Sequence, residues 1–75
     1  MKSMEIQVLL SQAEALVLFE WLARSDSAEA LHTECAAEQK VLWKLEGQLE
    51  KQVSVFAPDY KRLLAAAREE VDASN

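Results

Sequence analysis

The chain has 75 residues, of which 13 are acidic and 8 are Lys or Arg, and its formal net charge is −5. A chain this short can build only one hydrophobic core, so we expect residues 1–75 to form a single domain. The negative charge repels nucleic acids and anionic membranes, so neither is expected as a partner. The sequence shows neither a secretory signal pattern nor a run of about 18 apolar residues, and we therefore expect a cytoplasmic protein.

Small domains are marginally stable and usually gain stability from disulfides, a metal ion or a partner subunit. Cys35 is the only cysteine and His32 is the only histidine. A disulfide within the chain is therefore excluded, and a four-ligand zinc site is not expected. We expect no cofactor, and we expect self-association or close helix packing to supply the missing stability.

The first predicted elements are a short strand and a helix. Residues 5–9 alternate polar and apolar side chains, as a half-buried strand does. Ser11, followed three positions later by Glu14, has the pattern of a capping box at the start of a helix. We predict that the first helix covers residues 12–24 and ends at the turn-forming residues 25–27.

The second predicted helix is the longest and covers residues 28–52. Asp26 and Glu29 have the spacing of a cap at its start. Whether the helix breaks near His32 stays open, because histidine is a weaker helix former than its neighbours.

Apolar residues recur along this helix at alternating spacings of three and four, as in a coiled-coil seam. The seam consists of Leu31, Cys35, Glu38, Leu42, Leu45 and Leu49. Gly47 is unfavourable inside a helix, which suggests that another group approaches the backbone closely there.

Residues 53–56 are β-branched and aromatic, and we predict that they pair with residues 5–9 in a minor two-stranded β element. The third helix is predicted over residues 58–72, with Pro58 at its first position and a single apolar stripe. The predicted fold class is therefore mainly α, a three-helix domain with a long middle helix and this minor β pairing.

The first helix is apolar on more than one side. Val17 and Trp21 lie opposite its broad apolar face, between Glu14 and Arg24. A helix that is apolar all round is usually buried all round, so this second side is expected to meet a partner. Trp43 lies outside the seam of the second helix among charged residues, and an aromatic side chain with a polar rim is typical of protein interfaces. We predict that these five residues contribute to a protein interface.

Two sets of side chains suggest other chemistry. His32 and Cys35 face one another if the helix is continuous, which is the basis for an alternative metal or redox function. Glu38 is either a buried acid with a raised pKa or, as we favour, a structural residue that reaches water or an arginine. A serine-nucleophile motif, a second histidine and a glycine-rich phosphate loop are all missing from the sequence. We expect no catalytic residues and no enzymatic activity.

Three segments together, residues 14–22, 41–46 and 59–68, resemble those of a group of short uncharacterised bacterial helical proteins. The resemblance covers the chain from about residue 5 to residue 70. Because no activity is attached to that group, the resemblance implies only a bacterial, single-domain protein that is not secreted.

These observations favour a small non-enzymatic protein-interaction module that associates with itself, most simply as a homodimer. One alternative is an acidic inhibitor, antitoxin or immunity-type protein that binds a basic partner. A second alternative, which the spacing favours less, is a metal or redox protein that uses His32 and Cys35.

Overall fold

The computed structural model describes residues 4–53 and 57–74. It contains three α-helices, α1 (Gln12–Ser27), α2 (Ala36–Glu50) and α3 (Tyr60–Ala73). The predicted class, mainly α with three helices, is confirmed. The described residues contain no β-strand, and residues 4–10 have no regular secondary structure. The predicted β pairing of residues 5–9 with 53–56 is therefore not observed for residues 5–9 or for Val53, while residues 54–56 lie outside the described part of the chain.

The start of α1 has the capping box that the sequence predicts. The Ser11 hydroxyl accepts a hydrogen bond from the Glu14 backbone N–H at 3.1 Å, and the Glu14 carboxylate accepts one from the Ser11 N–H at 2.8 Å. These bonds satisfy two of the backbone donors involved in starting a helix. The helix then continues one turn beyond the predicted end, to Ser27, so residues 25–27 do not break it.

The predicted long middle helix is wrong, because α2 begins only at Ala36 and has 15 residues. The chain leaves α1 through Glu29, whose φ of 54° lies in the left-handed region and cannot propagate a right-handed helix. Residues 28–35 therefore form turns and irregular backbone. Asp26 lies inside α1, so the predicted cap formed by Asp26 and Glu29 is also wrong.

The observed start of α2 depends on a residue that the sequence placed in the seam. Cys35 has extended backbone and makes no capping bond through its side chain. Instead, the Glu38 carboxylate accepts a hydrogen bond from the Glu34 backbone N–H at 2.6 Å. Glu38 thus ties the incoming chain to the first turn, where the helix dipole also favours a negative charge.

Pro58 lies in the turn before α3 and not at its first helical position, since that helix begins at Tyr60. Asp59 is the residue before the helix, and its carboxylate accepts a hydrogen bond from the Arg62 guanidinium. This bond holds the pKa of Asp59 below its ordinary value. The pair is exposed, so it fixes the local geometry more than it stabilises the fold.

The other two helices both pack on α1. The core cluster joins α1 to α2 and consists of Ala15, Phe19, Leu22 and Leu49. Leu64 and Ala67 are the buried residues of α3. Among the described residues, no Cα atom of α2 lies within 8 Å of one in α3, whereas both helices come that close to α1.

Both packed helices run antiparallel to α1. Val53, just after α2, and Ala67 of α3 line a groove of about 370 Å³ together with Gln12 at the start of α1. At the other end of α1, the Asp26 carboxylate contributes to the raised pKa of Glu46 in α2. Late residues of α2 and α3 therefore lie beside early residues of α1.

No helix in the described residues is long and apolar enough to cross a membrane.

Candidate protein interface

The alternative site at His32 and Cys35 loses its geometric basis. It required both residues to lie on one continuous helix, but His32 is in the irregular segment and Cys35 is the extended residue before α2. Both side chains are exposed. Within residues 4–53 and 57–74, no three His, Cys, Asp or Glu side chains gather closely enough to hold a metal ion.

Glu38 does not act as a buried acid within a leucine seam. Its side chain is exposed and accepts the hydrogen bond from the Glu34 N–H at the start of α2. The face of α2 that packs on α1 carries Leu42 and Leu49, whereas Leu45 lies at the edge of this face and stays exposed. A continuous seam from residue 31 to residue 49 is therefore absent, since the helix does not extend over its first part.

The two charged residues of the predicted interface have partners within α1. Glu14 belongs to the capping box, and Arg24 forms an ion pair of 3.2 Å with Glu20, one turn earlier. Both side chains remain exposed on the surface of the helix. An exposed ion pair of this kind contributes little to stability, so Arg24 is free to contact another molecule at small cost.

Trp21 and Val17 lie on the side of α1 that neither packed helix covers. Trp21 is 46% exposed, and Val17 is half-buried. The neighbouring positions Phe19 and Leu22 are buried against α2, so the contrast arises from helical phase and not from a frayed end. The structure therefore places a large aromatic side chain in solvent beside a packed core.

Trp43 is 57% exposed and lies on α2. The expectation that Gly47 provides for a close approach is not met, because a Cβ atom added there would meet no atom within 4 Å. Residues 46 and 50 follow Trp43 by about one and two turns on the same side of the helix. Burial raises the pKa of Glu46, and repulsion from Asp26 and Glu50 raises it further.

Helical phase puts Trp43 on one flank of α2 and an apolar pair, Val41 and Leu45, on the other. Both residues of the pair are exposed. Residues 4–7 lie beside this second flank, and together they border an open groove of about 710 Å³. Val41 was not predicted to be a surface residue, although its spacing of four from Leu45 places both residues on one helix face.

We refer to residues 4–10 as the leading segment. Its large apolar side chains are all exposed, and they include Met4, Ile6, Val8, Leu9 and Leu10. Ile6 is 88% and Leu9 is 93% exposed. The alternation that predicts a strand is thus present in the sequence, but the described residues supply no neighbouring strand.

The whole chain exposes far more surface than a compact monomer of its size. Its accessible surface is 6590 Å², whereas a folded monomer of this mass exposes about 4600 Å². The radius of gyration is 13.8 Å, compared with about 11 Å for a compact domain of this length. Roughly 2000 Å² of surface beyond the normal amount is left uncovered.

Comparison with known proteins gives no relative: no family model, no curated protein and no solved structure matches this chain.

Proposed function

We propose that this protein is a small non-enzymatic interaction module that associates with itself as a homodimer. The observation that carries the proposal is a group of exposed apolar side chains beside the core of a small helical domain. The group consists of Trp21 on α1, Val41 and Leu45 on α2, and the leading segment, and the half-buried Val17 lies one turn from Trp21. We call this surface the free flank.

Helix handedness supports treating these residues as one surface. α3 packs on the side of α1 that carries Leu16, and Trp21 lies on the other side. Because α1 and α2 are right-handed and antiparallel, the flank of α2 on the same side of the helix pair as Trp21 is the one with Val41 and Leu45. Trp43 then faces the side nearer to α3. The proposed dimer surface therefore includes Trp21 and Val17 but not Trp43.

The amount of exposed surface fits a dimer. A standard protein interface buries about 800 Å² on each partner, and obligate homodimers bury about 1000–2500 Å² on each. The excess of roughly 2000 Å² falls within the obligate range. A small domain that gains little from its own core would gain its remaining stability in this way.

The test is the mass of the protein in solution over a wide range of concentrations. Sedimentation velocity or light scattering after size exclusion should give twice the 8.4 kDa of one chain, with dissociation only at high dilution. A mass of one chain at every concentration would refute the proposal.

We propose the cytoplasm as the compartment of this protein, since an exposed free cysteine such as Cys35 suits reducing conditions.

A second candidate function is the binding of a basic protein by the other flank of α2. Burial raises the pKa of Glu46, and repulsion from the Asp26 and Glu50 carboxylates raises it further, so this flank carries a group of negative charges. With Trp43, they would form an aromatic contact with an acidic rim, which suits an inhibitor or antitoxin with a basic target. This function predicts salt-sensitive capture of a basic protein, and Glu46→Gln combined with Glu50→Gln should abolish that capture.

A further inference from the structure

We propose that the leading segments of two copies pair with each other as antiparallel β-strands, forming a two-stranded sheet that lies over the Val41 and Leu45 flanks of both α2 helices. This inference rests on the proposed homodimer, and it specifies which segments of the two copies contact each other. The occupant of the groove beside α2 is therefore a second copy of this chain.

The leading segment has the side-chain pattern of a half-buried strand but has no partner strand among the described residues. Met4, Ile6, Val8 and Leu10 point to one face of an extended chain, and Glu5 and Gln7 point to the other. No backbone hydrogen bond joins residues 4–10 to another described residue. Backbone N–H and C=O groups that have no partner among the described residues, along an apolar segment, favour the addition of another strand.

The pattern is complementary to itself in one antiparallel register. If the twofold axis passes through Gln7, Met4 lies opposite Leu10 and Ile6 lies opposite Val8 of the second copy. All seven residues of each segment are then paired. The apolar residues at positions 4, 6, 8 and 10 of both copies lie on the same face of the two-stranded sheet. Glu5 lies opposite Leu9, so the register places no like charges directly across from each other.

The surrounding structure provides what such a sheet needs. An isolated pair of strands is marginal in water and requires packing against another element. The groove of about 710 Å³ between residues 4–7 and the Val41 and Leu45 flank is open and large enough to receive apolar side chains. The excess surface of roughly 2000 Å² per chain falls within the range that obligate homodimers bury on each partner.

Cysteine cross-linking tests the register in the full chain. In a Cys35→Ser background, Gln7→Cys brings two thiols together at the twofold axis, within the Cα separation of 4.4–6.8 Å that a disulfide needs. Glu5→Cys is the matched control, because the two substituted residues would lie about 14 Å apart in this register. We expect a disulfide-linked dimer under mild oxidation for Gln7→Cys and little for Glu5→Cys.

A second pair of variants tests which face is buried. Ile6 and Leu9 are almost equally exposed in the single chain, so the same polar substitution affects the monomer equally. We expect Ile6→Gln to raise the dimer dissociation constant about 10- to 100-fold, since each dimer buries two copies of Ile6. Leu9→Gln should change it less than about 3-fold.

The possible results separate this inference from the homodimer itself. A dimeric protein in which Glu5→Cys cross-links as well as Gln7→Cys, or in which neither cross-links, would overturn the strand pairing and leave the dimer. Equal effects of Ile6→Gln and Leu9→Gln would also overturn it. A strictly monomeric parent protein would overturn both. Helical content measured by circular dichroism should stay constant, because the substituted residues lie outside the helices.

Discussion

Replacing Trp21 with alanine is expected to weaken self-association strongly, while the same change at Trp43 leaves it nearly unaltered. The two indoles are exposed to a similar degree in the single chain, 46% and 57%. They differ in position, since Trp21 lies on the free flank and Trp43 on the opposite flank of α2. The comparison therefore isolates the location of the interface from the general effect of removing an exposed tryptophan.

The size of the effect follows from the area that Trp21 still offers to a partner. A tryptophan buries up to about 250 Å², so its exposed part amounts to about 100 Å². At about 25 cal/mol per Å², full coverage contributes about 2.5 kcal/mol per copy and about 5 kcal/mol per twofold dimer. Because alanine retains part of the contact, we expect the dissociation constant to rise roughly 100- to 1000-fold.

Sedimentation velocity over a dilution series of the parent protein and both variants measures this effect. Circular dichroism confirms that each variant keeps its helices. Equal weakening by Trp21→Ala and Trp43→Ala would refute the assignment to the free flank. An unchanged dissociation constant for Trp21→Ala would refute it as well, provided that the parent protein is a dimer.

The remaining predictions concern stability and are measured by unfolding at one fixed protein concentration. Leu22→Ala should lower the free energy of unfolding by about 2–5 kcal/mol, because this side chain is only 2% exposed. Gly47→Ala should raise it by about 0.5–1 kcal/mol, since the added methyl group meets open space and alanine favours the helix. Glu46→Gln should raise the melting temperature at neutral pH, because the raised pKa of Glu46 means that folding disfavours its ionised form. That advantage should disappear as the pH falls below the ordinary value of 4.5, where the carboxyl group is protonated in both states.

Each of these predictions has its own control. Leu63→Ala, at a leucine that is 38% exposed, should cost less than about 1 kcal/mol. A loss as large as that of Leu22→Ala would contradict the assignment of the core. If Gly47→Ala lowered the stability, another group would have to pack closely against position 47. An interface that included this side of α2 would provide such a group. A benefit of Glu46→Gln that grows in acid would contradict the sign of the pKa shift.

The sequence was most informative where structure depends on local interactions. The capping box of Ser11 and Glu14 could be predicted, because its two hydrogen bonds join residues three positions apart. The exposure of Trp21 could also be anticipated, since helical phase alone separates it from the apolar face of α1. Neither prediction required knowledge of how the helices are arranged.

The middle helix shows where such local reasoning fails. Residues 28–35 have acceptable helix propensity, but Glu29 adopts a left-handed conformation that an ordinary residue rarely takes. The apolar spacing of Leu31 and Cys35 then suggested a seam that the backbone does not support. Propensity is a weak preference that the connection between two packed helices can override.

The candidate interface was only partly predictable for a similar reason. The exposure of Val41 depends on which side of α2 packs against α1, and this is a property of the helix pair. The position of Trp43 relative to Trp21 depends on the antiparallel direction of the same pair. Such relations emerge only when the elements are placed together.

The separation of α2 from α3 has a consequence for how the molecule opens. Either helix can leave α1 while breaking few contacts with the other, because in the described part of the chain no Cα atoms of α2 and α3 lie within 8 Å of each other. Amide hydrogen exchange should therefore show two independent opening reactions, one for the amides of α2 and one for those of α3. The amides of α1 would exchange more slowly than both, since they stay covered until the two helices have left.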